Sequence, residues 1–220
     1  MNAAVEDFGG RRHGASWHRL LLVVFVAHGA ELAQTVRAED SVLQPLNTFT
    51  TAPTPRIERN IAPDANAVRA GDIERRSAFL DALVVWLSKN FDLPARFEHP
   101  TIKFVPAQAI VAMRYAAFLN DPTKVAAVQG DVVSVYHTEM LTVYLRDDWQ
   151  GVTPAEVSVL VHEMVHHLQT LARLKFACPQ EREQIAFRAQ QRWLGAFDTD
   201  LEREFELDPF WLLVNSNCGL

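Results

Sequence analysis

The stretch that decides the fold is Thr153-Pro154-Ala155-Glu156-Val157-Ser158-Val159-Leu160-Val161-His162-Glu163-Met164-Val165-His166-His167-Leu168-Gln169-Thr170. Thr153 is an N-cap residue. Pro154 suits the first helical position, where no intrahelical N–H bond is due, and Glu156 stands where its carboxylate can reach back to the cap. Val152 and Val157 occupy the positions of a hydrophobic staple. The spacing predicts a helix from Pro154 to about Arg173, with Val161, Met164, Val165, Leu168 and Leu171 on its apolar face. Within it lies His162-Glu163-Met164-Val165-His166, the pattern HExxH. At about 100° per residue, His166 falls only about 40° around the axis from His162, one turn along, so both imidazoles can grip one metal ion. Glu163 sits about 60° to the side of His166, near enough to reach a water at the metal but poorly placed to be a third ligand. That position makes it the natural general base.

Working outward, Ile73, Leu80, Leu83, Val84, Leu87 and Phe91 recur at helical spacing and predict a helix over 73–91. Thr101 to Val105 (TIKFV) reads as a strand closed by Pro106, followed by a helix over Ala107 to Leu119 and a turn at Asn120-Asp121-Pro122. Val132 to Tyr136 and Met140 to Leu145 read as two strands joined through His137, Thr138 and Glu139. The expected class is α+β: one domain over 73–220, with a small, mostly antiparallel sheet packed on the HExxH helix and further C-terminal helices. Residues 34–72 carry Pro45, Pro53, Pro55 and Pro63 without a sustained period and read as an extended arm or linker. Residues 1–33 read as a signal peptide. Arg11, Arg12 and Arg19 precede the apolar run Leu20 to Ala27, and small residues within 29–38 offer a cleavage site. A run this short falls well below the roughly 20 residues that span a bilayer, so no stable membrane span is expected after cleavage.

Of 220 residues, 49% are hydrophobic and 22% charged, the balance of an ordinary globular protein. The net charge of −6 lacks the basic footprint that phosphate-backbone binding requires, which argues against nucleic acid as a partner. The periplasm or the extracellular space is the expected location, and there a disulfide can form. Cys178 and Cys218 match no zinc-ligand spacing, and a bridge between them is predicted. Three of the eight histidines, His13, His18 and His28, lie in the first 33 residues, which are expected to be removed, and three of the other five are His162, His166 and His167.

Leu160 to Gln169 (LVHEMVHHLQ), preceded by the strand Leu141-Thr142-Val143-Tyr144-Leu145, resembles the zincin superfamily of zinc metallopeptidases, and also a group of small bacterial secreted proteins built around one such helix. The resemblance covers about residues 130–195. It implies a zincin-like fold, one zinc ion, a peptide or protein substrate, and 141–145 as the edge strand along which an extended peptide aligns. The metzincin continuation is absent, since Gln169 stands at its glycine and Ala172 at its histidine. No histidine follows His167, so the third ligand is expected to be an acid on the next helix, as in glutamate-type zincins. That helix starts at Cys178-Pro179, and Glu181 and Glu183 are both candidates. Glu183 is favoured because it opens a Glu-x-x-Ala turn in which Ala186 lets two helices approach, whereas a first-turn Glu181 is explained by the helix dipole.

The implied chemistry is peptide hydrolysis by a metal-activated water with Glu163 as the base. A non-catalytic zincin-shaped binding or structural protein, or a metal-dependent hydrolase of a non-peptide amide, remain alternatives. His167, His137 and Tyr136 are candidate oxyanion partners, and Gln169, within about 20° of His162, a candidate to orient a ligand. Glu202, Glu204, Glu206 and Asp208 read as a solvated acidic surface.

Overall fold

The computed structural model of the chain describes residues 57–115 and 133–219. The signal-peptide reading of 1–33, its cleavage window, the first part of the arm and the turn at 120–122 lie outside the described residues.

The last part of the expected arm is not extended. It forms α1 (Ile57–Ile61), a 3-10 turn (Ala62–Ala65) that takes Pro63 near its start, and α2 (Asn66–Ala70). Ile61, Ala65, Ala67 and Val68 are buried in the domain. Pieces of four or five residues are too short to show a period, and tertiary packing holds them rather than propensity. α3 (Ile73–Phe91) follows. Its N-cap Asp72 accepts from Arg75 N, and it buries Phe79, Leu80, Leu83, Val84, Trp86 and Leu87. Ile73, in its first turn, stays exposed. The Trp86 indole donates to the buried Glu58 carboxylate at 2.7 Å, which ties α1 to α3.

β1 (Thr101–Val105), α4 (Ala107–Tyr115), β2 (Ser134–His137) and β3 (Thr142–Arg146) come next. The three strands form one sheet in the order β1-β3-β2. β1 runs parallel to β3, from Thr101 opposite Thr142 to Val105 opposite Arg146. β2 runs antiparallel to it, with Ser134 opposite Leu145 and His137 opposite Thr142. Two expectations are corrected here. The sheet is mixed, not mostly antiparallel, and the strand expected to lie at an edge is the central one. Thr142, Val143, Tyr144 and Leu145 are buried in succession, as in a strand covered on both faces. Both of its hydrogen-bonding sides are taken by its neighbours, so it has none left for a peptide.

α5 (Pro154–Leu171) carries the decisive stretch, and its capping box is complete. Glu156 N donates to Thr153 Oγ1 at 3.1 Å, while the Glu156 carboxylate accepts from the backbone N–H groups of Gln150, Val152 and Thr153, each at 2.9 Å. The expected staple does not form, because Val152 is exposed while Val157 is buried; the three bonds to Glu156 fix the chain's approach instead. Gly151 takes φ +68°, and a Cβ there would lie 2.5 Å from the Trp149 ring and 2.9 Å from Ala65 O. Only glycine lets that turn close against the 3-10 segment.

α6 (Pro179–Gly195), α7 (Leu201–Phe205) and α8 (Pro209–Ser216) complete the described chain. α6 packs along α5 with the small, fully buried Ala186 and Ala189. α8 packs on α6, the Trp211 ring meeting Phe187 at 6.0 Å. The Cys178–Cys218 disulfide, with Cα atoms 5.9 Å apart, fastens the chain beyond α8 to the N-cap of α6. The result is an α+β arrangement in which α5 lies between β2 on one side and α6 on another. Among the described residues, no helix is long and apolar enough to cross a membrane.

Candidate metal centre

The helical turn separates the functional side chains of α5 onto two faces. His162 and His166 turn toward α6, and Glu163 and His167 turn toward β2. On the α6 side, His162 Nε2 and His166 Nε2 lie 3.2 Å apart. Glu183 Oε2 sits 3.3 Å from each. These three residues form a group that could hold a metal ion. All three are buried, at 1%, 3% and 2% exposure. Despite its proximity to both rings, Glu183 Oε2 takes a hydrogen bond from neither, an orphaned buried acceptor.

Burial by itself would push the Glu183 carboxyl up. The charge of His166, the close imidazoles of both histidines and the charge of His162 outweigh it and hold the group at about 2. The carboxylate is therefore ionised while fully enclosed, a state that persists only where positive charge faces it. Each ring's other nitrogen has an amide partner. His162 Nδ1 lies 3.2 Å from Gln190 Oε1, and His166 Nδ1 lies 3.0 Å from Gln169 Oε1.

On the β2 side, Glu163 is also buried, and its Oε1 accepts the hydroxyl proton of Ser134. Ser134 and Tyr136 alternate onto the same face of β2, which the structure shows to be the one against α5. His167 is held at both nitrogens. Its Nε2–H donates to Glu98 O, because a carbonyl can only accept, so Nδ1 accepts from the Tyr136 hydroxyl at 3.1 Å. Burial lowers the His167 pKa below its ordinary value, against the raising effect of the Glu98 hydrogen bond. Burial likewise raises that of Tyr136.

The sequence-derived residues thus divide. His162, His166 and Glu183 come together, and Gln169 joins them through His166 rather than through His162, its nearer neighbour in projection. Glu181 does not join them: it is exposed and accepts from Ala177 N, closing the first turn of α6. His137 does not either, since it faces away from Tyr136 across the pleat and its Nδ1 accepts from Met140 N at 3.3 Å in the turn between β2 and β3. Tyr136 and His167 satisfy each other. Ser134 and Gln190 escaped the sequence reading. A polar residue two before Tyr136 on a strand with a buried face was the signal for the first, and a glutamine seven residues after Glu183, hence on its face of α6, for the second.

An α+β protein with a buried His-His-Glu group between two packed helices is the class that fold and site define. The chain belongs to the family described as Domain of unknown function (DUF6647), whose model matches residues 72–220. No curated protein and no solved structure gave a match.

Proposed function

We propose that the chain is an exported, zinc-dependent hydrolase of peptide bonds with a zincin-type site, zinc being held by His162, His166 and Glu183, and Glu163 acting as general base. The observation that carries this reading is the triangle of Nε2, Nε2 and Oε2 atoms, 3.2 and 3.3 Å on its edges. Tetrahedral zinc at its usual bond lengths to nitrogen and oxygen sets its donor atoms about 3.3 Å apart. Three buried acceptors at such spacing repel one another unless a cation, or protons, stand among them. The orphaned Glu183 oxygen fits that requirement.

Bound zinc would supply a Lewis acid that polarises the scissile carbonyl and lowers the pKa of water. The chain supplies the rest. Ser134 occupies Oε1 of Glu163, which leaves Oε2 to take the proton of the attacking water and pass it to the leaving amine. The substrate peptide does not add to the sheet at β3, whose two sides are paired. The Cys178–Cys218 bridge supports export, because such bonds persist in oxidising compartments.

One observation favours a second reading, a metal-stabilised protein that cleaves nothing: the three ligand candidates are almost wholly enclosed. The Ser134-held Glu163 favours catalysis, since a purely structural site needs no base. Zinc-loaded protein incubated with a mixed peptide library separates the two. The wild type should cleave, and Glu163→Gln should keep one zinc per chain while losing at least about 100-fold in rate. Full zinc content with no cleavage would establish the structural reading, equal cleavage by both would remove Glu163 from the mechanism, and no zinc in either would sink both readings.

A further inference from the structure

We infer that Gln190 and Gln169 are positioning residues that fix a proton on Nδ1 of His162 and of His166, so that each ring in its neutral form keeps Nε2 as the nitrogen that faces the centre. This rests on the metal-site reading only for its consequence; the hydrogen-bond polarity stands by itself. Consider Gln190. The Ser158 hydroxyl donates its one proton to Ala155 O at 2.7 Å, a carbonyl that can only accept. Ser158 Oγ therefore offers only lone pairs to its other neighbour, and the Gln190 group 3.2 Å away must be the NH2 end. The carbonyl end of the same amide then faces His162 Nδ1, which must carry the proton. A neutral imidazole with a proton on Nδ1 has its lone pair on Nε2.

Gln169 is fixed by a different anchor. Its NH2 donates to Arg182 O at 3.0 Å, again a group that only accepts, so its carbonyl end faces His166 Nδ1 and demands a proton there. The two clamps are reciprocal across the helix pair. Gln190 reaches from α6 to a histidine of α5, and Gln169 reaches from α5 to the backbone of α6 at the residue just before Glu183. Each amide thus orients a ring and holds the two helices in the register that brings Glu183 to the rings. Partners of this kind are commonly carboxylates or backbone carbonyls. An amide locks the tautomer without adding negative charge, which leaves Glu183 as the one carboxylate among the ligand candidates and their ring partners.

The test has two arms. Histidine-labelled, metal-free protein at about pH 8, above the ordinary histidine range, should show Nδ1-protonated rings for His162 and His166 by long-range 15N–1H NMR. Gln190→Leu should abolish the preference at His162, and Gln169→Leu that at His166. In the second arm, competition with a zinc chelator should show each leucine variant binding zinc about 10–100-fold more weakly, while Gln190→Glu, which keeps an acceptor for Nδ1–H, retains most of the affinity. Ser158→Ala frees the Gln190 amide to turn over without touching either ring, and should give a smaller loss at His162 alone; it stands in if a leucine variant fails to fold. Rings protonated on Nε2 and not on Nδ1 in the metal-free wild type would overturn the inference, as would leucine variants that bind zinc like the wild type. If the wild type takes no zinc, the metal reading falls, and the NMR arm alone decides on the two glutamines.

Discussion

His166 and His167 are neighbours in sequence, both buried on one helix, yet they live in opposite chemical surroundings. His167 has a partner at each nitrogen, Glu98 O and the Tyr136 hydroxyl, so its hydrogen-bonding capacity is spent. His166 has Gln169 at Nδ1 and, at Nε2, two other groups that attract protons or cations, His162 Nε2 and Glu183 Oε2. Burial does not distinguish them. What separates a ligand candidate from a packing histidine is whether a ring nitrogen faces acceptors or a satisfied donor–acceptor pair. One step of about 100° around the helix moves an imidazole from the α6 side to the sheet side.

The largest expected effect breaks the comparison directly. His166→Ala, and likewise His162→Ala, should weaken zinc binding by more than about 100-fold, since losing a ligand exceeds the 10–100-fold cost of losing a ligand's hydrogen-bond partner. His167→Ala should leave zinc stoichiometry intact. Chelator competition on all three variants checks this, and similar losses for His166→Ala and His167→Ala would erase the distinction between the two faces.

The next effect tests whether the two faces are mechanically independent. The Cys178–Cys218 bridge closes a separation of 40 residues and pins the N-cap of α6, five residues before Glu183. In the chain-entropy account, opening it should cost about 3–4 kcal/mol of stability. Because α6 forms only the Glu183 side, reduction should weaken zinc retention while the Tyr136–His167–Glu98 connection survives. Urea titration gives the first quantity and zinc release under reductant the second. Zinc retention unchanged by reduction would show that the bridge merely ties down the C-terminal segment.

The same division marks what could be read from the sequence. α5 was legible because its signals are local: a Thr-x-x-Glu box, a proline at the first position and the HExxH spacing all lie in one run. The different placing of Glu183 and Glu181 follows from their positions in the turn: Glu183 lies beside the histidines and Glu181 on the backbone at Ala177. Pairing partners across the sheet were not legible. Period-2 alternation says which residues share a face, not whether β3 lies in the middle or at an edge, although the consecutive Val143, Tyr144 and Leu145 depart from the alternation of a half-exposed strand. The short helices at 57–70 were missed because their stability is tertiary: Ile61, Ala65 and Val68 join the same core as α3 and α5. Ser134 and Gln190 belong to other segments from the groups they touch, 29 and 28 residues away in sequence, so the local pattern places each on its face of the strand or helix but does not name its partner.

A smaller effect sharpens the sheet side. His167→Leu has similar shape and leaves the Tyr136 hydroxyl and Glu98 O without their present partner. The cost should be about 1–3 kcal/mol, the range for stranding a buried polar group. Combining it with Tyr136→Phe should recover part of that loss, because the phenylalanine has no hydroxyl to strand. Equilibrium denaturation of both single variants and the double variant measures the coupling. Strict additivity would mean that the 3.1 Å contact carries no energy.

The smallest effect is a pH dependence, and its sign follows from the same contact. His167 titrates below the ordinary histidine value of 6.5, chiefly because burial disfavours its charged form. Between that depressed value and 6.5 the unfolded chain binds a proton at this position that the folded chain does not. Stability contributed by the neutral ring is therefore fully present above pH 6.5 and is lost progressively as pH falls toward the folded value, with a slope of at most about 1.4 kcal/mol per pH unit. The quantity to read is the difference between wild type and His167→Gln, a variant that retains polarity but cannot be protonated. Metal-free protein should be used, so that zinc release does not add its own proton uptake. The wild type should lose stability more steeply than His167→Gln below pH 6.5, and the two curves should run parallel above it. Parallel curves throughout would mean that the ring accepts a proton in the folded protein as readily as in the unfolded chain, and His167 would then have to give up its Tyr136 partner, since a protonated ring has no lone pair to offer that hydroxyl.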